Sequence, residues 1–284
     1  MTPDVTVGVV TLARHRRDHL DRQFRAMAAQ LRKPDRYVVV DLGGDAIEPL
    51  AARRGVDARV VPFPTPAALP LAAARNLGHA ACDTDITIFL DVDCIPICGL
   101  VEAYRDGFAE RPAVRCGPVG YLPPLAPGAF WDADGGLDEG HLRSSARFHP
   151  GRPRPGEVPR RTDRYELFWS LSFAVERGTW NELGGFDECY VGYGAEDTDL
   201  AWTMRSVGVE LWFDGAAVAY HQHHPVSSPP IEHLDDICRN SLRFFERWGE
   251  WPMTGWLRQF AERGLVVWRP DDGVLERACD AQLA

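Results

Sequence analysis

The order of apolar patterns along the chain predicts an α/β protein: a mostly parallel sheet flanked by helices, a smaller mixed sheet, and a helical carboxyl-terminal tail. Three observations carry this expectation. Over the first 120 residues, short β-branched runs alternate with helical patterns, as strands joined by crossover helices do. The run I-T-I-F-L at residues 86–90 has the composition of a buried strand, and acidic residues follow it directly. Apolar runs then return beyond an irregular middle stretch.

In order, residues 5–10 read as a first strand, and Leu20, Phe24, Met27 and Leu31 recur at helical spacing. Residues 37–40 read as a second strand ending at Asp41, with Gly43 and Gly44 as a turn. Residues 59–61 look like a third strand, 72–81 an alanine-rich helix, and 86–90 the fourth strand. Residues 121–165 carry Pro123, Pro124, Pro127, Pro150, Pro153, Pro155 and Pro159, which break regular elements. The second half of that stretch holds Arg143, Arg147, Arg152, Arg154, Arg160, Arg161 and Arg164, so it reads as a solvated insert or an anion-facing lid. Strand patterns resume at 171–175, 209–213 and 217–220, with helices ending at Gly184-Gly185 and covering 197–207. After Pro229-Pro230, Ile231, Leu234, Cys238, Leu242, Phe245 and Trp248 keep a helical period. Residues 1–228 are thus expected to form one domain, and 229–284 a helical extension packed on it.

Composition narrows the function. A net charge of −10 lacks the basic footprint of a nucleic-acid binder. No apolar run approaches the ~20 residues of a membrane span, and the amino terminus lacks a signal-peptide pattern. Seven scattered cysteines form no C-x-x-C, so reduced thiols and a cytoplasmic setting are expected. Lys33 is the sole lysine.

The chemistry concentrates in three places. Asp91 and Asp93 form D-x-D at a strand's carboxyl end, where open α/β sheets place their ligands. Ionised carboxylates there need water, hydrogen bonds or a cation, and a hard divalent ion carrying a substrate phosphate would satisfy them. G-Y-G-A-E-D-T-D-L clusters Glu196, Asp197 and Asp199 beside Tyr190 and Tyr193. Those acids suit the first turn of a helix, and a carboxylate in a partly apolar pocket can serve as general base. H-Q-H-H-P supplies His221, His223 and His224 at a strand end, and imidazole with carboxylates suits manganese or a similar ion.

With D-x-D, G-G-F-D-E, G-x-G-x-E-D-x-D and a strand-end histidine in that order, residues 4–225 resemble nucleotide-sugar glycosyltransferases of the GT-A fold, family 2 above all. The second half is similar to the carboxyl-terminal region of β-1,4-galactosyltransferases. The resemblance implies a nucleoside-diphosphate sugar as donor, a carbohydrate or other hydroxyl-bearing acceptor, Mn²⁺ or Mg²⁺ as cofactor, and inversion at the anomeric carbon. It implies metal ligands among Asp91, Asp93, His221 and the alternate His224. It implies donor contacts from Thr11, Arg14, Asp41, Arg75, Asn76, Asp91 and Asp93. Asp197 becomes the expected base with Glu196 beside it, and Tyr193, Trp169 and Asp199 the expected acceptor contacts. Two positions depart from the family pattern: D-L-G-G stands where D-D-G-S is common, and Tyr193 where a tryptophan is. A haloacid-dehalogenase-like phosphatase also uses D-x-D, but on its first strand and with a downstream lysine, whereas Lys33 lies upstream. A non-catalytic nucleotide-sugar-binding module is the remaining alternative.

Overall fold

The sheet is built outward from a pair of strands buried on both faces. A computed structural model describes residues 5–44, 46–64, 69–108 and 113–278. The strand β1 (Val7–Ala13) has no exposed position, because Val7, Val9 and Val10 pack into helices on either side. It is followed by α1 (Arg17–Ala28), β2 (Arg36–Asp41), α2 (Ile47–Arg54), β3 (Ala58–Pro62), α3 (Leu71–Cys82) and β4 (Ile86–Leu90). β1 pairs in parallel with β2 and with β4, and β2 with β3, as the β-α alternation requires.

After β4 the chain makes β5 (Cys94–Pro96), α4 (Leu100–Gly107), β6 (Val114–Cys116) and β7 (Val119–Tyr121). The proline- and arginine-rich stretch is more regular than its composition predicts. It contains α5 (Glu139–Ser145), β8 (Arg147–Phe148) and β9 (Arg160–Thr162), because its prolines fall between elements rather than inside them. Its arginines fasten it down. Arg152 is 4% exposed, donates to the carbonyls of Leu167 and Gly117 at 3.0 and 3.4 Å, and lies over the Trp169 ring. Arg161 and Arg164 pair with Asp163 and Glu166, each at 2.8 Å.

The second half supplies β10 (Ser172–Glu176), α6 (Arg177–Leu183), α7 (Glu196–Val207), β11 (Leu211–Phe213) and β12 (Ala219–His221). The large sheet has eight strands in the order β3-β2-β1-β4-β10-β6-β11-β9. β10 runs antiparallel between β4 and β6, so its amino-terminal end meets the carboxyl end of β4. A second sheet, β5-β12-β7-β8, begins where the first stops. Phe89 stacks on Phe173 at 4.6 Å and on Trp180 at 5.0 Å, which ties β4, β10 and α6 into one aromatic core.

The tail is not wholly helical. α8 (Leu234–Trp248) and α9 (Thr254–Glu262) precede a hairpin of β13 (Val266–Arg269) and β14 (Val274–Arg277). The alternation V-V-W-R and V-L-E-R around the P-D-D-G turn is a strand period that the helical expectation overlooked. The six cysteines among the described residues are free; Cys279 lies outside them. No helix among these residues is long and apolar enough to cross a membrane.

α8 docks through Asp199, one of the residues expected to touch the acceptor. Asp199 is 1% exposed and fully engaged: Tyr190 Oη and Trp248 Nε1 donate to Oδ1 at 3.1 and 2.8 Å, and Arg247 pairs with Oδ2 at 2.8 Å. Replacing Asp199 by Ala should lower unfolding free energy by about 2 kcal/mol, because two buried donors and a guanidinium lose their acceptor. Denaturant titration checks this; unchanged stability would return the residue to the substrate.

Candidate active site

The carboxyl ends of β1, β2 and β4 lie side by side, where an open α/β sheet places its ligand cleft, and the D-x-D turn follows β4. Asp91 follows β4, its backbone N–H donates to Leu171 O at 2.9 Å, and Cys94 N–H closes the turn onto Asp91 O at 2.8 Å. The two carboxylates part company there. Asp93 faces the second sheet, where Nε2 of His224 comes to 3.4 Å of its Oδ2. Asp93, His221 and His224 can each offer one ligand atom with all three atoms within 4.8 Å of one another. Both expected histidines thus meet Asp93, whereas His223 is exposed. Asp91 is outside this cluster, a change to the expected ligand set, because its Oδ1 instead lies 3.5 Å from Arg75 Nη2.

Electrostatics separates these groups further. His221 is pushed down to about 4, chiefly by burial, so at neutral pH its imidazole is uncharged and its lone pair free for a cation. Burial works to raise Asp93, but the His19 contact and the charges of His224 and Arg16 outweigh it and hold it below the ordinary carboxylate value. His19 Nδ1, from α1, stands 2.7 Å from Asp93 Oδ1, but that buried oxygen has no well-aligned hydrogen-bond donor. A carboxylate and imidazoles at this spacing fit a divalent transition ion better than magnesium, which prefers oxygen ligands throughout.

The second acidic group lies across the cleft at the start of α7. Gly192 and Gly194 have φ of 81° and 93°, and Ala195 has φ 72°, so the chain enters α7 through a left-handed turn. α8 grips that turn. Tyr193 N–H donates to Asp236 at 3.2 Å, and Asn240 Nδ2 reaches Gly194 O at 2.9 Å; a Cβ on Gly192 would strike Asp236 at 2.2 Å. Glu196 is 7% exposed and receives Arg75 Nη1 at 3.0 Å. Arg75 thereby spans Asp91 and Glu196, residues from opposite halves of the chain. Asp197 is half-buried and accepts from Thr198 N–H at 2.7 Å. Burial, with the Glu196 charge adding to it and Arg75 opposing, pushes Asp197 up to about 7. Burial also raises Asp91 to about 6 against the pull of Arg75. Tyr193 stacks on His233 at 4.5 Å, with Trp256 of α9 beyond it at 6.0 Å.

The remaining expected donor contacts divide. Arg14 lies half-buried just past β1, and Asp41 ends β2 with Oδ1 accepting from Gly43 N–H at 2.7 Å. Both border the cleft. Thr11 and Asn76 direct their side chains to backbone groups of the protein. Thr11 is 1% exposed with Oγ1 on Leu90 O at 2.9 Å. Asn76 spends its amide on both backbone groups of Phe186, each at 2.9 Å. Trp169 is half-buried between the Arg152 guanidinium and the His149 ring. Sequence reasoning missed His19, Gln23, Gln222, Asp236 and Asn240. Gln23 alone carried a signal, as a polar residue on the apolar stripe of Leu20, Phe24 and Met27.

No family model matches the chain. The pre-mycofactocin glycosyltransferases of Mycobacterium tuberculosis strains CDC 1551 / Oshkosh and ATCC 25618 / H37Rv are 30% identical to it over 154 residues, 54% of this chain. The match spans 30% of the length of those relatives. The solved structure of GalNAc-T7 with UDP, GalNAc and Mn²⁺ superposes with a TM-score of 0.58 at 15% identity, covering 92% of this chain and 57% of that one. Staphylococcus aureus TarS gives 0.55 at 12% identity, covering 84% and 40%. The fold is the GT-A fold those glycosyltransferases share.

Asp197 has a testable cost. Its folded pKa of about 7 exceeds the ordinary carboxylate value of 3.8, so the folded state holds the proton more tightly. Its contribution to stability is therefore full below pH ~4, is lost as pH rises through ~7, and stays lost above. A tenfold difference in proton affinity between folded and unfolded chain is worth about 1.4 kcal/mol, and solvent at this half-buried group lessens the total. Metal-free Asp197→Asn should exceed the parent by on the order of 2 kcal/mol at pH 8 and match it at pH 4. Equal denaturant midpoints at both pH values would contradict the raised pKa.

Proposed function

We propose that the protein is a metal-dependent, inverting glycosyltransferase that moves a sugar from a nucleoside-diphosphate sugar to an acceptor hydroxyl. The observation that carries this reading is a division of labour across one cleft. On one side stands the ion-ready set of Asp93, His221 and His224; on the other stands Asp197, a carboxylate raised to about 7. The glycosyltransferase names of the relatives and of the structures sharing the fold support it, as does the UDP and Mn²⁺ in the GalNAc-T7 structure. The phosphatase alternative loses ground because Lys33 donates to Ala28 O at the exposed end of α1.

Asp93, His221 and His224 would hold Mn²⁺ in this reading, with Mg²⁺ the weaker occupant. Bound there, the ion supplies Lewis-acid neutralisation of charge on the departing nucleoside diphosphate. The chain's own residues do the rest. Asp41 and Arg14 border the nucleotide end of the cleft. Arg75 fixes the Asp91 and Glu196 carboxylates so that both face the reacting centre. Asp197 takes the proton of the acceptor hydroxyl as that oxygen attacks the anomeric carbon and the diphosphate oxygen leaves from the opposite side. One such displacement inverts configuration. Tyr193, walled by His233 and Trp256, offers an aromatic face to the acceptor.

Asp197→Asn should lower turnover by ~10²–10⁴-fold, the usual contribution of a general base, while donor affinity holds. The activity of the parent should rise with pH toward a plateau above ~7, as the base loses its proton. A thermal-shift panel of UDP, GDP, CDP and dTDP tests the donor side. The matching nucleotide with Mn²⁺ at 100 times its dissociation constant should add about 2.7 kcal/mol, and His221→Ala should abolish the Mn²⁺-dependent part. No stabilisation by any nucleotide with Mn²⁺ would remove the proposal's foundation.

A further inference from the structure

Gln23 is 0% exposed, yet it is polar and sits on the face of α1 that packs against the sheet. An amide buried this deeply is tolerable only with its hydrogen bonds made, and here every one is. Nε2 donates to Asp91 O and to Cys94 O, both at 2.8 Å. Oε1 accepts from Tyr37 Oη at 2.5 Å and lies 3.0 Å from Thr11 Oγ1. Two accepting carbonyls on one side and the donating Tyr37 hydroxyl on the other fix which end of the amide is which. Asp91 and Cys94 are the first and last residues of the D-x-D turn, so Gln23 ties both ends of the turn to α1. Cys94 is also the register partner of His221 across β5 and β12. The position of the turn therefore sets where Asp93 lies relative to His221.

A second contact from α1 repeats the theme. His19, one helical turn before Gln23, stands against the Asp93 carboxylate, and its own carbonyl accepts from Gln222 Nε2 at 3.1 Å. Gln222 N–H in turn donates to Asp93 O at 2.7 Å. α1 contributes no ligand to the cluster, but it holds the backbone on both sides of Asp93.

From these contacts we infer that Gln23 is a positioning residue for the cation site, holding the D-x-D turn in the geometry that lets Asp93 and the two histidines act together. The inference rests on the metal reading above. It adds that affinity for the cation is set by a buried amide that never touches it. Groups of this kind change metal affinity by ~10–100-fold when removed.

The test compares Gln23→Met, which keeps the side chain's bulk without its donors, with Thr84→Val as a control. Thr84 is 2% exposed, donates to Ile86 O at 2.8 Å, and sits at the opposite end of β4. Both variants lose buried hydrogen bonds, but only one loses them at the turn. Mn²⁺ affinity is read from the electron paramagnetic resonance signal of free aquo-Mn²⁺, with circular dichroism reporting the fold. Gln23→Met should bind Mn²⁺ at least ~10-fold more weakly than the parent while Thr84→Val stays within ~2-fold. Equal Mn²⁺ affinity in Gln23→Met and parent, or an equal loss in Thr84→Val, would overturn the inference. If Gln23→Met does not fold, Tyr37→Phe decides: it deletes the 2.5 Å bond to the amide oxygen and the 3.3 Å contact with Thr11 Oγ1. It should weaken Mn²⁺ several-fold, and unchanged affinity would overturn the inference. A parent protein that leaves all Mn²⁺ in solution would sink the metal reading itself, a result distinct from a parent that binds and a variant that binds equally well.

Discussion

The arrangement of the cleft depends on one buried cation. Arg75 is 5% exposed, with acids on either side of it and the Phe186 ring 5.1 Å beneath. Carboxylates this deep are costly to leave unpaired, and a guanidinium is suited to serving two of them from one plane. Because Asp91 belongs to the first half of the chain and Glu196 to the second, the halves are clamped at the cleft. Without Arg75 the acids of the two walls would repel across a low-dielectric gap.

How much of this was legible in the sequence follows from range. The strands of the first half were readable because β1, β2 and β4 are β-branched runs bounded by turn residues. D-x-D was readable because two acids after a buried strand violate the local pattern. The sequence favoured His221 with His224 as its alternate, but the meeting of both with Asp93 comes from β12 pairing with β5, which no local pattern encodes. The α8 partners of Asp199 were hidden for a related reason. Four residues of acid-rich sequence look uniform, yet the helical period turns Asp199 inward to α8 while Asp197 stays at the cleft. Asn76 and Thr11 likewise have backbone partners that no local pattern announces.

The middle stretch and the tail taught a different lesson. Proline and arginine counts predicted irregularity, but position mattered more than number. Prolines between α5, β8 and β9 permit those elements, and stacking on Trp169 and Phe213 gives the arginines Arg152 and Arg160 an aromatic surface to lie on. In the tail, the helical period of α8 was strong enough to be extended by default over the hairpin of β13 and β14.

The hold of α8 on α7 has a consequence for where this molecule can be cut. Asp236 and Asn240 fasten the turn before Glu196, and Arg247 and Trp248 fasten Asp199 one turn beyond it. A truncation just past His224 would keep every acid and imidazole of the cleft while freeing the helix that aims two of them. A unit trimmed there would therefore be complete in inventory and slack in aim, so α8 as far as Trp248 belongs with the site it steadies.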